Sequence, residues 1–152
     1  MNILYMYYFA YGSNMNIKHL QKYVKDSNAM VVGVGLLNNY IFKYQTIKND
    51  YSCRRSRANI SKRKGSKVYG IVFHINDSIL NMLNKKEGVN EKRYKKIRVT
   101  VKSGEKTYNC ITYTMVGVCK DKDPPIRYRK LVVDAGMMFN FPSNYMKRLS
   151  SD

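Results

Sequence analysis

One segment near the start of the chain constrains the fold more than any other. Residues Tyr5–Ala10 are aromatic or apolar without a breaker, which is typical of a buried strand. The turn-like sequence Tyr11-Gly12-Ser13-Asn14 follows, and Asn16–Val24 then carries apolar residues at helical spacing. Ser13 or Asn14 is suited to cap that helix, because its side-chain oxygen can accept a hydrogen bond from an otherwise unpaired N–H group. The segment therefore predicts a strand, a tight turn and a helix N-terminus in succession.

The rest of the chain alternates between strand-like and helix-like patterns. Strands are expected at Ala29–Leu37 and Tyr40–Tyr44 with a tight turn at Asn38-Asn39, and also at Lys67–Ile75, Tyr94–Val101 and Thr107–Met115. A basic loop with a short strand candidate at Ala58–Ile60 is expected over Tyr51–Lys67. Helices are expected at Asp77–Lys86 (started by Asn76 or Asp77), Tyr128–Phe139 (closed by a left-handed Asn140) and Phe141–Leu149. This order predicts one α+β domain over residues 1–152, a small β-barrel or strongly curled sheet with flanking helices.

The composition is strongly basic, with 28 Lys and Arg against 10 Asp and Glu and a formal net charge of +18. Such a charge creates a positive field that attracts anions, including nucleic acid. Basic residues are densest in Arg54–Lys67 and Lys92–Arg98. Lysines that simply fill solvated faces explain the same pattern, and AT-rich coding favours Lys, Asn, Ile and Tyr without functional selection. Charge alone therefore leaves a nucleic-acid partner open but does not favour it.

Cysteines, histidines and sequence motifs exclude several classes of protein. Cys53, Cys110 and Cys119 are an odd set without a Cys-x-x-Cys pair, which argues against a disulfide scaffold and fits a reducing, cytoplasmic location. No apolar run approaches the roughly 18 residues that a membrane helix needs, so no membrane partner is expected. His19 and His74 form no cluster with metal-ligand spacing, and the phosphate-binding and dinucleotide-binding motifs are absent. We therefore expect neither a metal nor another cofactor.

Two local features carry candidate chemistry. At the turn Tyr11-Gly12-Ser13-Asn14, exposed backbone N–H groups meet the positive end of a helix dipole, which suits an anion or an oxyanion. The second feature is Glu87, which ends a predicted helix although the helix dipole favours cations there. A carboxylate at a helix end beside Gly88 is free to point into a cavity. Each feature also has a purely structural interpretation. The turn is then an ordinary strand-to-helix connection, and Glu87 is a solvated glutamate whose charge is balanced by two lysines.

In this order and spacing, the two features resemble the γ-glutamylcyclotransferase family over almost the whole chain. Tyr8–Asn14 looks like the family's Tyr-Phe-Ala-Tyr-Gly-Ser-Asn loop, and Val68–Phe73 is similar to its Val-Trp-Gly-Val-Val-Trp strand. Leu80–Val89 resembles the helix that ends in the family's Glu-Gly pair. Further similar stretches are Thr112–Met115, Pro124–Tyr128 and Ala135–Pro142, followed by Tyr145 and Leu149.

The resemblance implies a mixed barrel with helices around it and one pocket above the turn. It implies that Glu87 is the catalytic general acid/base. The substrate-binding residues that it implies are Tyr8, Phe9, Ala10, Tyr11, Gly12, Ser13, Asn14, Tyr113 and Tyr128. The implied reaction cyclises the γ-glutamyl group of a small γ-glutamyl amino acid or peptide to 5-oxoproline and releases the free amino acid, without a metal or cofactor.

The chain departs from the family's pattern at Arg54–Ile60, where the family commonly carries Trp-x-Gly-Gly-x-Ala-Thr-Ile. If this edge lines the pocket, a more anionic γ-glutamyl substrate is expected. Two alternatives remain: a cyclotransferase specific for γ-glutamylamines or glutathione, and a catalytically silent basic module that binds nucleic acid or an acidic partner. Retention of both the turn and Glu87 argues against the silent module. A homodimer is consistent with such a family.

Overall fold

The computed structural model describes residues 2–25, 29–48 and 53–150. The strands in these residues are β1 (Tyr5–Ala10), β2 (Met30–Ile47), β3 (Ser56–Asn76), β4 (Tyr94–Ser103), β5 (Lys106–Met115) and β6 (Val118–Asp121). The helices are α1 (Ile17–Tyr23), α2 (Asp77–Lys86), α3 (Ile126–Met138) and α4 (Ser143–Ser150). None of these described helices is long and apolar enough to cross a membrane.

Five of the described strands close into a mixed barrel, which confirms the predicted fold class. The strand order is β3-β1-β5-β4-β2, and β2 pairs back onto β3 to close the barrel. β1 runs parallel to β5, while the other pairs are antiparallel. The short strand β6 extends the sheet beside β2. Closure pairs both edge strands of the five-stranded sheet, so neither is left as an open edge.

The close approach of β3 to β1 depends on Gly70. Phe9 is fully buried inside the barrel. A Cβ atom at Gly70 would lie 2.3 Å from the carbonyl oxygen of Ala10 and 2.7 Å from the Phe9 ring. A side chain at this position would therefore force the two strands apart. Since Ala10 is the last residue of β1, this contact also fixes where the following turn begins.

The pairing of β2 with β3 differs from the predicted turn and loop. Asn38-Asn39 does not reverse the chain, because β2 continues through a β-bulge between Asn38 and Tyr40. Asn39 has a φ of 64°, and its Oδ1 accepts the N–H of Gly65 on β3 at 3.0 Å. Asparagine tolerates the left-handed region, so the same residue suits a bulge as well as a turn. The predicted basic loop is likewise wrong from Ser56 onward, where β3 begins, although its strand candidate Ala58–Ile60 is confirmed as part of β3. The first two residues of the predicted loop lie outside the described part of the chain.

Helix caps agree with the predictions at two ends and differ at one. Asn16, rather than Ser13 or Asn14, caps α1 by accepting the N–H of His19 at 3.2 Å. Ser13 and Asn14 instead belong to a short 3-10 turn that precedes the helix. Asn76 caps α2 by accepting a backbone N–H at 2.9 Å, and Asn140 has a φ of 56° after α3, as predicted.

A disulfide joins Cys53 to Cys119, so the prediction from the cysteine count is wrong. The pairing of β6 with β2 brings Cys119 to the segment that leads into β3, and a count of cysteines holds no such information. Cys110 is buried and free. The disulfide also removes the cysteine argument for a reducing compartment.

Thiol titration tests this disulfide. We expect one free thiol per chain in denaturant without a reductant, because only Cys110 is unpaired among the three cysteines. The bond closes a sequence separation of 66 residues. A reductant should lower the Tm, because such a bond contributes about 2–4 kcal/mol to stability. The Cys53→Ser variant is the control, since its Tm should not respond to the reductant; three thiols in the oxidised protein would contradict the pairing.

Candidate active site

A cavity of about 620 Å³ lies next to the C-terminal end of β1. Its wall is built by β1 with the turn that follows it, α1, the ends of β2 and α2, β5, the starts of α3 and β4, and the first residues of β3 with those preceding them. Small-molecule sites typically enclose roughly 300–1,000 Å³. The cavity therefore has the size of a site for a compound such as a dipeptide.

The turn after β1 is held from two sides. Tyr11 donates its hydroxyl proton to the carbonyl oxygen of Tyr113 at 2.6 Å, which ties the turn to β5. The N–H of Met15 donates to the carbonyl oxygen of Gly12 at 3.0 Å and closes the 3-10 turn. Gly12 packs directly on Ala58, where an added Cβ atom would lie 2.8 Å from the Cβ of Ala58. Glycine at this position therefore lets the turn contact β3.

Glu87 reaches the cavity because α2 ends at this residue. Its backbone N–H still donates to the carbonyl oxygen of Leu83 at 2.9 Å. Gly88 then turns the chain with a φ of +65°, a conformation that glycine adopts without strain. The Glu87 side chain is partly buried and lies in the cavity wall.

The carboxamide of Asn14 joins Glu87 to the turn. Its Nδ2 donates to the hydroxyl oxygen of Tyr8 at 2.8 Å and to Oε1 of Glu87 at 3.1 Å. Its Oδ1 accepts a hydrogen bond from Nζ of Lys86. A carboxylate only accepts and an ammonium only donates, so these partners fix the orientation of the amide. The buried Asn14 thereby holds the Glu87 carboxylate next to the turn.

Burial raises the pKa of Glu87 above its ordinary value of 4.5. The positive charge of Lys86 and the hydrogen bond from Asn14 oppose this rise, as do Arg55 and Arg93 to a smaller extent. Burial disfavours the charged form of a carboxyl group, whereas cations and donors favour it. The pKa of Glu87 is therefore shifted towards the pH range in which a general acid/base is most effective.

Tyrosine hydroxyls surround this carboxylate. Burial raises the pKa of Tyr8, Tyr113 and Tyr128 above 10.0, so these hydroxyls keep their protons at neutral pH. Tyr113 donates to Oδ1 of Asn84 at 2.7 Å, and the hydroxyl oxygen of Tyr128 accepts the N–H of Ala58 at 3.1 Å. The tyrosines hold the wall together while presenting uncharged polar groups to the cavity.

Two residues of the predicted binding segment do not line the cavity. The segment's residues in the wall are Tyr8, Tyr11, Gly12, Ser13 and Asn14, and Tyr113 and Tyr128 also lie there. Phe9 packs inside the barrel, because successive side chains of a strand point to opposite faces. Ala10 is buried against Gly70. The substrate-binding role expected for Phe9 and Ala10 is therefore revised: they support the turn from behind.

Several positively charged side chains line the cavity, and the sequence analysis named none of them as site residues. Among the described residues these are Lys22, Arg55, Arg57, Lys86, Arg93 and Arg127. Glu87 is the one carboxylate among the described residues of the wall. The basic run and its departure from the family's pattern were the available signals, but a run of adjacent residues does not show which of them face a cavity.

Tyr94 and His19 are among the neutral side chains of the wall that the sequence analysis did not name as site residues. Tyr94 donates its hydroxyl proton to the carbonyl oxygen of Ala58 at 2.8 Å. Burial, together with Lys86 and Lys22, lowers the pKa of His19 to about 4, so its ring is neutral at neutral pH. Within the described ranges, no group of three or more His, Cys, Asp or Glu side chains is placed to hold a metal ion.

The barrel carries a cavity of small-molecule size, and Glu87 is the one carboxylate among the described residues of its wall. The model of the AIG2-like family matches residues 67–149, more than half of the sequence, and the chain belongs to this family. A relative from Bos taurus named γ-glutamylcyclotransferase is 29% identical over 147 residues, covering 95% of this chain and 77% of that protein. The relative of the same name from Homo sapiens is 27% identical with the same coverage.

The comparison of structures gives the same result. A solved structure named γ-glutamyl cyclotransferase superposes with a TM-score of 0.87 and 26% sequence identity, covering 97% of this chain and 88% of the other. The YkqA structure from Bacillus subtilis has a TM-score of 0.80 and 27% identity, covering 99% of this chain and 55% of the other. The resemblance to the γ-glutamylcyclotransferase family is thus confirmed by sequence and by fold.

The stability of a Glu87→Gln variant tests the electrostatics of the site. A raised pKa means that the fold favours the protonated carboxyl, so Glu87 costs stability as the pH rises above its ordinary value of 4.5. We expect the uncharged glutamine to raise the free energy of unfolding at neutral pH and to have little effect at pH values below 4.5. Urea unfolding at both pH values measures the difference.

Glu105→Gln is the control for this experiment, because Glu105 is an exposed glutamate in the turn after β4. Exposed substitutions of this kind usually change stability by less than about 0.5 kcal/mol. A Glu87→Gln variant that is less stable than the wild type at neutral pH would contradict the raised pKa.

Proposed function

We propose that this protein is a γ-glutamylcyclotransferase that converts a γ-glutamyl amino acid or peptide to 5-oxoproline and the free amino acid, as one domain over residues 1–152. The observation that carries the proposal is the Glu87 carboxylate, held by Asn14 beside the turn after β1 in the wall of a dipeptide-sized cavity. The relatives and the solved structure of that name, which match nearly the whole chain, support it.

The reaction places modest chemical demands on the protein. The α-amino group of the substrate attacks its own γ-carbonyl carbon, closes a five-membered ring and expels the amine of the leaving amino acid. A well-oriented intramolecular nucleophile has an effective concentration of up to ~10⁵–10⁸ M. The protein therefore has to fold the substrate, move protons and stabilise the oxyanion that forms during attack.

Glu87 moves the protons. The α-ammonium loses two protons on its way to the lactam nitrogen, and the leaving nitrogen gains two on its way to an ammonium. Glu87 takes each of these two protons in turn from the attacking nitrogen and returns it to the leaving nitrogen, so no proton is consumed overall. Asn14 binds Oε1 of Glu87, and we assign the other carboxylate oxygen to the substrate.

The turn after β1 binds the negative charge. The N–H of Met15 is used inside the turn. We assign the backbone N–H groups of Gly12 and Ser13 to the oxyanion or to the substrate's α-carboxylate. An oxyanion-hole donor is typically worth ~10²–10³ in turnover. Tyr8, Tyr11, Tyr113 and Tyr128 complete the pocket by packing and hydrogen bonding.

Several finer points stay predictions. γ-Glutamylamines and glutathione are alternative substrates of the same chemistry. A homodimer remains an expectation from the sequence, a nucleic-acid partner is left open by the charge but not favoured, and nothing in the site favours the catalytically silent module. The cytoplasmic location also stays a prediction, and the Cys53–Cys119 disulfide has removed one of its supports.

Turnover by a Glu87→Gln variant tests the catalytic assignment. We expect the wild type to release 5-oxoproline from at least one member of a panel of γ-glutamyl dipeptides, γ-glutamyl-lysine and glutathione, measured by mass spectrometry. Glu87→Gln should lower kcat by ~10²–10⁴, the usual contribution of a positioned general acid/base. Glu105→Gln should retain wild-type turnover. A Glu87→Gln variant that keeps more than a few per cent of the wild-type activity would contradict the assignment of Glu87 as the general acid/base.

The pH dependence of kcat/KM tests the same residue independently. Glu87 must be deprotonated to take a proton, so activity should fall as the pH falls through its pKa, and burial places that midpoint above 4.5. Lys86 opposes the rise in the pKa of Glu87. The Lys86→Met variant should therefore shift the acidic midpoint to higher pH. An acidic midpoint at or below pH 4.5 in the wild type, or a shift of this midpoint to lower pH in Lys86→Met, would contradict the prediction.

A further inference from the structure

The cations of the cavity wall form an inner and an outer group. Lys86, Arg57 and Arg93 are partly buried, whereas Lys22, Arg55 and Arg127 are exposed. Side chains that both line a cavity and contact solvent lie at its opening. We call Lys22, Arg55 and Arg127 the rim cations.

Contacts within the protein already engage two members of the inner group. Lys86 donates to Asn14 and lies with its Nζ 4.8 Å from the ring centre of Tyr23. Arg57 donates to the carbonyl oxygen of Ser56 at 2.8 Å, and its guanidinium lies 4.9 Å from the ring centre of Tyr128. Such contacts fix the inner cations and tie them to the walls around Glu87.

The rim and the inner group repel each other where they meet. Burial lowers the pKa of Arg57, and the positive charge of Arg55 lowers it further. An anion bound between Arg55 and Arg57 would relieve this repulsion.

The proposed reaction fixes which end of the substrate faces the rim. The α-amino group and the γ-carbonyl carbon must lie at Glu87, which is partly buried beside the turn. The leaving amino acid then extends towards the opening. Its C-terminal carboxylate supplies one negative charge, whereas the opening presents the rim cations and the adjacent Arg57.

From this charge balance we propose that the preferred leaving group carries a second carboxylate, so that the substrates are γ-glutamyl derivatives of acidic amino acids, such as γ-glutamyl-glutamate and γ-glutamyl-aspartate. This inference rests on the proposed cyclotransferase function and specifies its substrate class. The rim cations, with Arg55 and Arg127 foremost, determine that specificity. Arg55 also favours the ionised form of Glu87, but this effect acts on acidic and neutral substrates alike.

Matched pairs of substrates test the specificity. The value of kcat/KM is measured for γ-glutamyl-glutamate against γ-glutamyl-glutamine, and for γ-glutamyl-aspartate against γ-glutamyl-asparagine, which differ in charge at nearly constant shape. The acidic member should be favoured about tenfold at low salt, because several weak exposed contacts act together. Added salt should reduce the ratio, since exposed charges are screened.

Substitutions then locate the effect. Arg55→Gln and Arg127→Gln should each move the ratio of acidic to neutral substrate towards one, and Arg55→Lys should retain part of it. Arg98→Gln is the matched control, because it removes the same charge from an exposed position on β4 outside the cavity wall. It should leave the ratio unchanged. The Tm of each variant verifies that it is folded.

The outcomes separate this inference from the proposed function. Release of 5-oxoproline with a ratio of one or less overturns the acidic preference and leaves the cyclotransferase intact. A high ratio that persists in Arg55→Gln and Arg127→Gln overturns the role of the rim cations. Absence of 5-oxoproline from every compound overturns the function and this inference together.

Discussion

The carboxamide of Asn14 is the contact on which the arrangement of the site depends. It joins the turn after β1 to Glu87, which lies 73 residues further along the chain. Two close contacts at glycines determine the position of this loop after β1. Gly70 lets β3 lie against β1, and Gly12 lets the turn contact Ala58. Strand spacing inside the barrel thus decides where a carboxylate at the end of a separate helix comes to lie.

Charge in the cavity acts on two levels. Near Glu87, burial raises the pKa of the carboxyl group while Lys86 and other cations limit that rise, and the balance determines how readily the group exchanges a proton. At the opening of the cavity, the same excess of positive charge acts on any ligand that enters. Under the proposed function, a single basic wall tunes the catalytic group and selects the substrate, which links the basic composition of the chain to its proposed chemistry.

Local sequence patterns predicted much of the fold: β1 with its turn, the helix that ends at Glu87, and the barrel class. The differences arise where distant segments decide the outcome. Asn39 suits a turn or a bulge equally, and only its pairing with β3 selects the bulge. The Cys53–Cys119 disulfide and the cavity-facing position of Arg55 likewise depend on how separate strands meet. Of the cavity wall, the positions of Glu87 and the turn were predicted. The sequence raised a basic edge only as a condition, because it does not show which residues of a basic run face the cavity.

The most direct measurement is the reaction of a γ-glutamyl dipeptide carried out in water enriched in oxygen-18, followed by mass spectrometry of both products. Attack by the substrate's own amine predicts unlabelled 5-oxoproline and an equal amount of the free amino acid, because no water oxygen enters either product. Glutamate that carries the label would show that water is the nucleophile. That result would contradict cyclisation as the activity of this site.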